Sequence, residues 1–155
     1  MSAAPAAARP PSSVAIAVVF ATILHVALVI GTSGILALAL DRDVIDYPDA
    51  GPILGPVMIA TGAVVVALAA RAAARARPPW PAAVAGAVGA AAVTVVIGAL
   101  GYALVRGELA WVLLATVHFA TTPLALTTLG CAFVALVVAW SLARLPRVPR
   151  EDDEE

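Results

Sequence analysis

LAWVLLATVHFATTPLALTTLGCAFVALVVAWSLA, residues 109–143, carries no Asp, Glu, Lys or Arg. An uncharged apolar run of about eighteen or more residues reads as a membrane-spanning helix. This stretch is too long for one ordinary span. Thr122-Pro123 sits inside it and has the form of a helix N-cap followed by Pro at the first helical position. The reading divides the stretch there. Residues 109–121 are expected as a half-length helix, interfacial or re-entrant, and residues 123–143 as a full span. One long tilted helix kinked at Pro123 is the alternative.

Three more runs lie upstream: 13–40, 51–70 and 82–105. None contains a charged residue. The expected fold is therefore all-α: a polytopic four-helix membrane bundle with a half-helix before the fourth span. At 1.5 Å rise the first run would cover about 42 Å, against a hydrocarbon core of about 30 Å. It must tilt, reach into the headgroups or bend, and Gly31-Thr32-Ser33-Gly34 is the expected bend. A cleaved signal peptide is the rival reading, because Ala37-Leu38-Ala39 resembles a cleavage site. The apolar region before it is too long for that, and the region preceding it is weakly basic.

The second run opens with Gly51-Pro52 and Gly55-Pro56 and ends at Arg71, Arg75 and Arg77. Pro78-Pro79-Trp80-Pro81 reads as a turn between helices, and Arg106-Gly107-Glu108 closes the third run. Residues 1–12 are expected as a disordered lead and 144–155 as a disordered acidic tail.

Composition agrees. The hydrophobic fraction is 63% and the charged fraction 12%, whereas soluble domains carry roughly 25% charged residues. Every basic side chain is Arg, and Lys, Asn and Gln are absent, a bias that fits a GC-rich bacterial genome. The formal net charge of −1 implies no nucleic-acid partner. Cys131 is the only Cys, so an intramolecular disulfide and Cys-pair redox chemistry are excluded. It reads as a small buried hydrophobe.

Four spans put both termini on one side. That side would carry Arg9, Arg71, Arg75, Arg77, Arg144, Arg147 and Arg150, and the other only Arg42 and Arg106. The positive-inside rule then places both termini in the cytoplasm. Trp80 and Trp140 fall at the expected inner ends, and Tyr47, Tyr102 and Trp111 at or beside the outer ends, as interfacial aromatics should.

Few side chains could do chemistry. His25 lies near the middle of the first span and His118 in the half-helix. An ionisable residue inside a membrane is a functional candidate by default. Two imidazoles could ligate a haem or a metal, or one could relay protons. Nothing in their spacing places the rings on facing surfaces, so one interhelical hydrogen bond per ring is the simpler account. Asp41, Asp43, Asp46 and Asp49 crowd one loop, but match no calcium-loop spacing. They read as solvated, with Asp49 helping to cap the second span. Gly31-Thr32-Ser33-Gly34 matches the G-x-S-G string of intramembrane serine proteases. Those enzymes need more than four spans, and the string reads as a packing or flexing point.

Ala82, Gly86, Ala90, Thr94 and Gly98 recur every fourth residue in the third run. Such a small-residue stripe lets helix backbones approach closely. Packing within the monomer is favoured over a dimer interface.

Asp-Arg-Asp-Val-Ile-Asp at 41–46, Asp-Ala-Gly-Pro at 49–52, Leu-Gly-Pro at 54–56 and Gly-Tyr-Ala-Leu-Val-Arg-Gly-Glu-Leu at 101–109 carry a likeness. Over residues 13–143 the chain resembles small four-span membrane families of unknown function in high-GC actinobacteria. The resemblance implies no activity. The expected role is a non-enzymatic scaffold or accessory subunit in a bacterial plasma membrane, without a cofactor. Its partners would be the lipid bilayer and another membrane protein or a second copy. A small transporter or channel-like oligomer is the alternative, though no membrane-embedded carboxylate exists to couple it to protons. A haem-binding electron-transfer subunit using His25 and His118 is the third reading.

Overall fold

Small side chains fill much of the interior, around a few large ones such as Met58, Tyr102, Phe119 and Leu136, and many large apolar side chains face outward. Ala17, Ala21, Ala70, Ala73, Ala83, Ala90, Ala132, Ala135 and Ala139 are all fully buried, while Ile16, Ile23, Ile35, Leu38, Leu104 and Leu113 are exposed. In water this arrangement would be costly. In lipid a large apolar side chain gains little by turning inward, and close backbone approach becomes the stabilising term. The burial pattern is thus that of a chain whose solvent is hydrocarbon.

The computed structural model describes residues 11–41 and 52–145. Among them are five helices and no strand: α1 Pro11–Leu40, α2 Leu54–Arg75, α3 Trp80–Arg106, α4 Trp111–Thr121 and α5 Pro123–Leu142. α1, α2, α3 and α5 are long and apolar enough to cross a membrane. The four form a ring in chain order, α1–α2–α3–α5, closed by contact between α5 and α1. α2 and α5 also touch across the diagonal, whereas α1 and α3 do not. α4 packs mainly on α3.

Each helix ends for a local reason. Asp41, with φ 49°, turns the chain out of α1 in the left-handed region, where Asp is tolerated. Ala76 is extended after α2, as a Pro-rich turn follows. Pro81 lies in the first turn of α3, where its missing N–H has no partner to lose. Gly107, with φ 71°, closes α3 and donates its N–H to the Leu104 carbonyl at 3.2 Å.

Thr122 breaks the last apolar stretch into α4 and α5. Its backbone is extended, with φ −72° and ψ 153°, the conformation a residue before Pro prefers. The expected side-chain cap is not made. The Thr122 hydroxyl donates backward to the Phe119 carbonyl at 2.8 Å and serves the end of α4 instead of the start of α5.

Other boundaries also shift. α1 stays helical through Gly31-Thr32-Ser33-Gly34, so the expected bend is not a helix break. Glycine permits a break, but without competing water the backbone hydrogen bonds keep the helix intact. α2 continues past Ala70 to Arg75, because Ala72, Ala73 and Ala74 are strong helix formers and arginines suit a helix C-terminus. α3 starts at Trp80, two residues before the expected 82, and α4 starts at Trp111 after a turn at Leu109 and Ala110. α2 starts at Leu54 instead of the expected 51, with Gly55 and Pro56 in its first turn. The greater part of the expected lead (1–10), residues 42–51 of the acidic loop and its entry, and the tail beyond Leu145 lie outside the described residues.

Candidate functional site

The middle of the bundle brings one polar residue or glycine from each long helix together. α1 contributes His25, which is 1% exposed. α2 contributes Gly62, α3 Thr94 and α5 Thr128, all buried. A Cβ built on Gly62 would stand 2.9 Å from Thr94 Oγ1, 3.8 Å from His25 Nε2 and 3.9 Å from Thr128 Cγ2. Gly62 is therefore the gap through which the other three converge. A methyl group there would collide with the Thr94 hydroxyl.

The His25 ring lies in hydrogen-bonding reach of the Cys131 backbone on α5. Its Nδ1 is buried and has no hydrogen-bond partner among the described residues. A buried polar atom left without a partner is costly, so the position asks for an explanation. Around it the polar contacts are sparse and long. Thr94 Oγ1 donates to the Met58 carbonyl at 3.5 Å, and Thr32 Oγ1 meets Cys131 Sγ at 4.0 Å.

The remaining threonines offer little to a ligand. Thr22 donates to Val18 O at 2.8 Å, Thr116 to Val112 O at 2.7 Å and Thr127 to Pro123 O at 2.6 Å. These hydroxyls are engaged by the preceding turn of their own helix.

The small-residue stripe of α3 forms much of this packing. Gly86, Ala90, Thr94 and Gly98 are buried, and Ala82 is half-buried at the stripe's first turn. A Cβ on Gly86 would lie 2.6 Å from Ala69 Cβ and 2.7 Å from Leu136 Cδ1. One on Gly98 would lie 2.6 Å from Met58 Cε and 3.3 Å from Phe119 Cδ2. The stripe thus meets α2 and α5 within the monomer, and at Gly98 it also receives α4.

His118 is placed apart from His25. It sits on α4, half-buried, with its ring 5.9 Å from that of Phe119. α1 and α4 share no backbone contact. Among the described residues no three His, Cys, Asp or Glu side chains gather as metal ligands.

One cluster escaped the sequence reading as a unit. At the end of α3 away from Trp80, Arg106 Nε donates to Tyr102 Oη at 2.9 Å, and its guanidinium lies 5.4 Å from the Tyr102 ring centre and 5.3 Å from that of Trp111. Trp111 Nε1 donates to Glu108 Oε2 at 3.1 Å. The two aromatic rings meet edge to face at 6.1 Å. These contacts fold α4 back onto α3. The spacing of Tyr102 and Arg106, one helical turn apart, was the available signal. Gly62 and Thr128 carry no such signal, since neither belongs to a periodic pattern.

No curated protein and no solved structure matches the chain. The family of unknown function DUF6121 matches residues 9–154, nearly the whole chain, and the protein belongs to that family.

Proposed function

We propose that the protein is a non-enzymatic membrane scaffold or accessory subunit that acts through helix packing. The observation that carries this reading is the interior itself. Much of it is alanine, and a Cβ on Gly62 or Gly86 would stand within 3 Å of Thr94 Oγ1 or Ala69 Cβ. The hydroxyls of Thr22, Thr61 and Thr127 bond the preceding turn of their own helices. Such an interior favours a rigid body that presents its outer faces to lipid and to partner helices.

The setting that fits best is a bacterial plasma membrane, in a high-GC actinobacterium, with both termini cytoplasmic. The Arg-only basic composition and the seven-to-two distribution of arginines support it. The partner is another membrane protein or a second copy of this chain.

A second reading has one observation in its favour. His25 Nδ1, buried at the centre of the bundle without a partner, is suited to a small polar solute or a proton in transit. The test separates the two. The full chain is purified in mild detergent, and co-purifying proteins and oligomeric state are determined by mass analysis. A defined membrane partner or homo-oligomer is the expected result. A monomer without partners that conducts protons in liposomes, with conduction lost in His25→Ala, would replace the scaffold reading with the transport one.

A further inference from the structure

At the end of the bundle where α2, α3 and α5 meet the Pro-rich turn, an open cavity of about 820 Å³ is lined by Arg77, Pro79, Trp80, Trp140 and Arg144. Arg144 lies flat over Trp140, its guanidinium carbon 3.9 Å from the ring centre. Its Nη2 donates to the Ala76 carbonyl at 3.5 Å. The cation is thus placed at the rim by α2 and α5 together. Trp140 Nε1 is buried with no acceptor among the described residues. Arg71 and Arg75 are exposed on the last two turns of α2 and lie outside the cavity lining. The cavity therefore offers two guanidinium groups, which only donate. Phosphate oxygens, which only accept, are their complement.

The surface below the cavity is apolar. Trp80, Val84 and Val88 are 53%, 51% and 54% exposed. They recur every fourth residue and so share one face of α3. Trp80 stacks on Phe133 of α5 with ring centres 6.3 Å apart, which fixes the top of this track beside the cavity. A free phosphate would use the arginines alone. A lipid uses the arginines and the track.

We propose that this cavity binds the phosphodiester headgroup of an anionic glycerophospholipid, whose acyl chains descend along Trp80, Val84 and Val88. Basic pockets between membrane helices are a recurring form of headgroup recognition.

The test uses the purified full chain in detergent, equilibrated with phosphatidylglycerol or with phosphatidylcholine and read by native mass spectrometry. Wild type retains phosphatidylglycerol in preference to phosphatidylcholine. Arg77→Gln and Arg144→Gln each weaken that retention about fivefold, the usual effect of one interfacial arginine. Trp140→Ala, which removes the ring that seats Arg144, weakens it too. Arg71→Gln, one charge removed outside the cavity, leaves it unchanged. Arg77 is exposed in a turn, so Arg77→Gln decides the matter even where changes at Trp140 or Arg144 disturb folding. Four results would overturn the proposal: equal retention of the two lipids; an Arg71→Gln loss as large as that of Arg77→Gln; displacement of phosphatidylglycerol by soluble glycerol phosphate at matched concentration; or a large gain in retention on deleting residues 151–155, which would make the acidic tail the occupant.

Discussion

Gly62 of α2 and Thr94 of α3 approach so closely that a Cβ on Gly62 would stand 2.9 Å from the Thr94 hydroxyl. The same hydroxyl reaches the Met58 carbonyl one turn away on α2. The two helices are in register at this point because one residue lacks a side chain and its neighbour carries a small polar one. Gly62→Ala should therefore destabilise the protein by about 1–3 kcal/mol, the range for overpacking a close contact. Thr94→Ala removes the obstructing oxygen. In that background the cost of Gly62→Ala should fall to near zero, and thermal unfolding in detergent of the two single variants and the double variant measures the coupling. Additive losses would mean that the pair does not set the helix spacing.

Gly86 and Gly89 provide a matched comparison on one helix. A Cβ on Gly86 meets Ala69 and Leu136 below 3 Å, while one on Gly89 meets only Val65 Cγ1, at 3.6 Å. Gly86→Ala should cost about 1–3 kcal/mol. Gly89→Ala should be neutral or gain up to about 1 kcal/mol from helix propensity. Gly86→Leu and Ala90→Leu should be worse still, since both positions are buried. Melting temperatures in one detergent order the four variants; wild-type stability in both leucine variants would turn the stripe toward lipid.

The two histidines should prove separable. His25 lies at the centre of the bundle, and His25→Ala should cost about 1 kcal/mol, an interhelical hydrogen bond's worth. His118 is half-buried on the peripheral α4, so His118→Ala should be milder. The double variant should show the sum, because α1 and α4 do not touch. The purified protein should show no Soret band. A haem spectrum lost in either variant would restore the electron-transfer reading.

Topology is open to a direct check. Reporter fusions after Arg77 and after Glu155 should read as cytoplasmic, and one within residues 43–48 as exterior. An exterior signal at Arg77 would invert the whole arrangement.

What could be read from the chain alone depended on whether the signal was local. The four spans are announced by uncharged runs, since a charge inside hydrocarbon is costly. The break at Thr122 is equally local, because Pro123 constrains the residue before it. The stripe from Gly86 to Gly98 was visible through its period of four. Gly62 was not, because its meaning lies in which residue of α3 faces it, and that register belongs to the assembled bundle. Gly31-Thr32-Ser33-Gly34, the bend expected from the length of the first run, lies inside a continuous α1. A Cβ on Gly31 or Gly34 would meet nothing within 4 Å, so neither glycine is required by packing. Thr122 shows a third limit: its hydroxyl could serve either flanking helix, and only the geometry chose Phe119.

The alanines at the core have a consequence for how the bundle assembles. Ala17, Ala21, Ala70, Ala73, Ala83, Ala132, Ala135 and Ala139 have no side-chain rotamers to lose when helices come together. Many of the larger side chains, such as Ile16, Ile23, Leu38 and Leu113, point away from the contacts and remain mobile among lipid chains after assembly. At these alanine contacts preformed helices dock with little loss of side-chain disorder, and the cost falls on the few large buried side chains such as Met58, Tyr102, Phe119 and Leu136. The bundle needs only weak attraction per residue to hold together, and a single bulky intruder at the seam is opposed by contact alone.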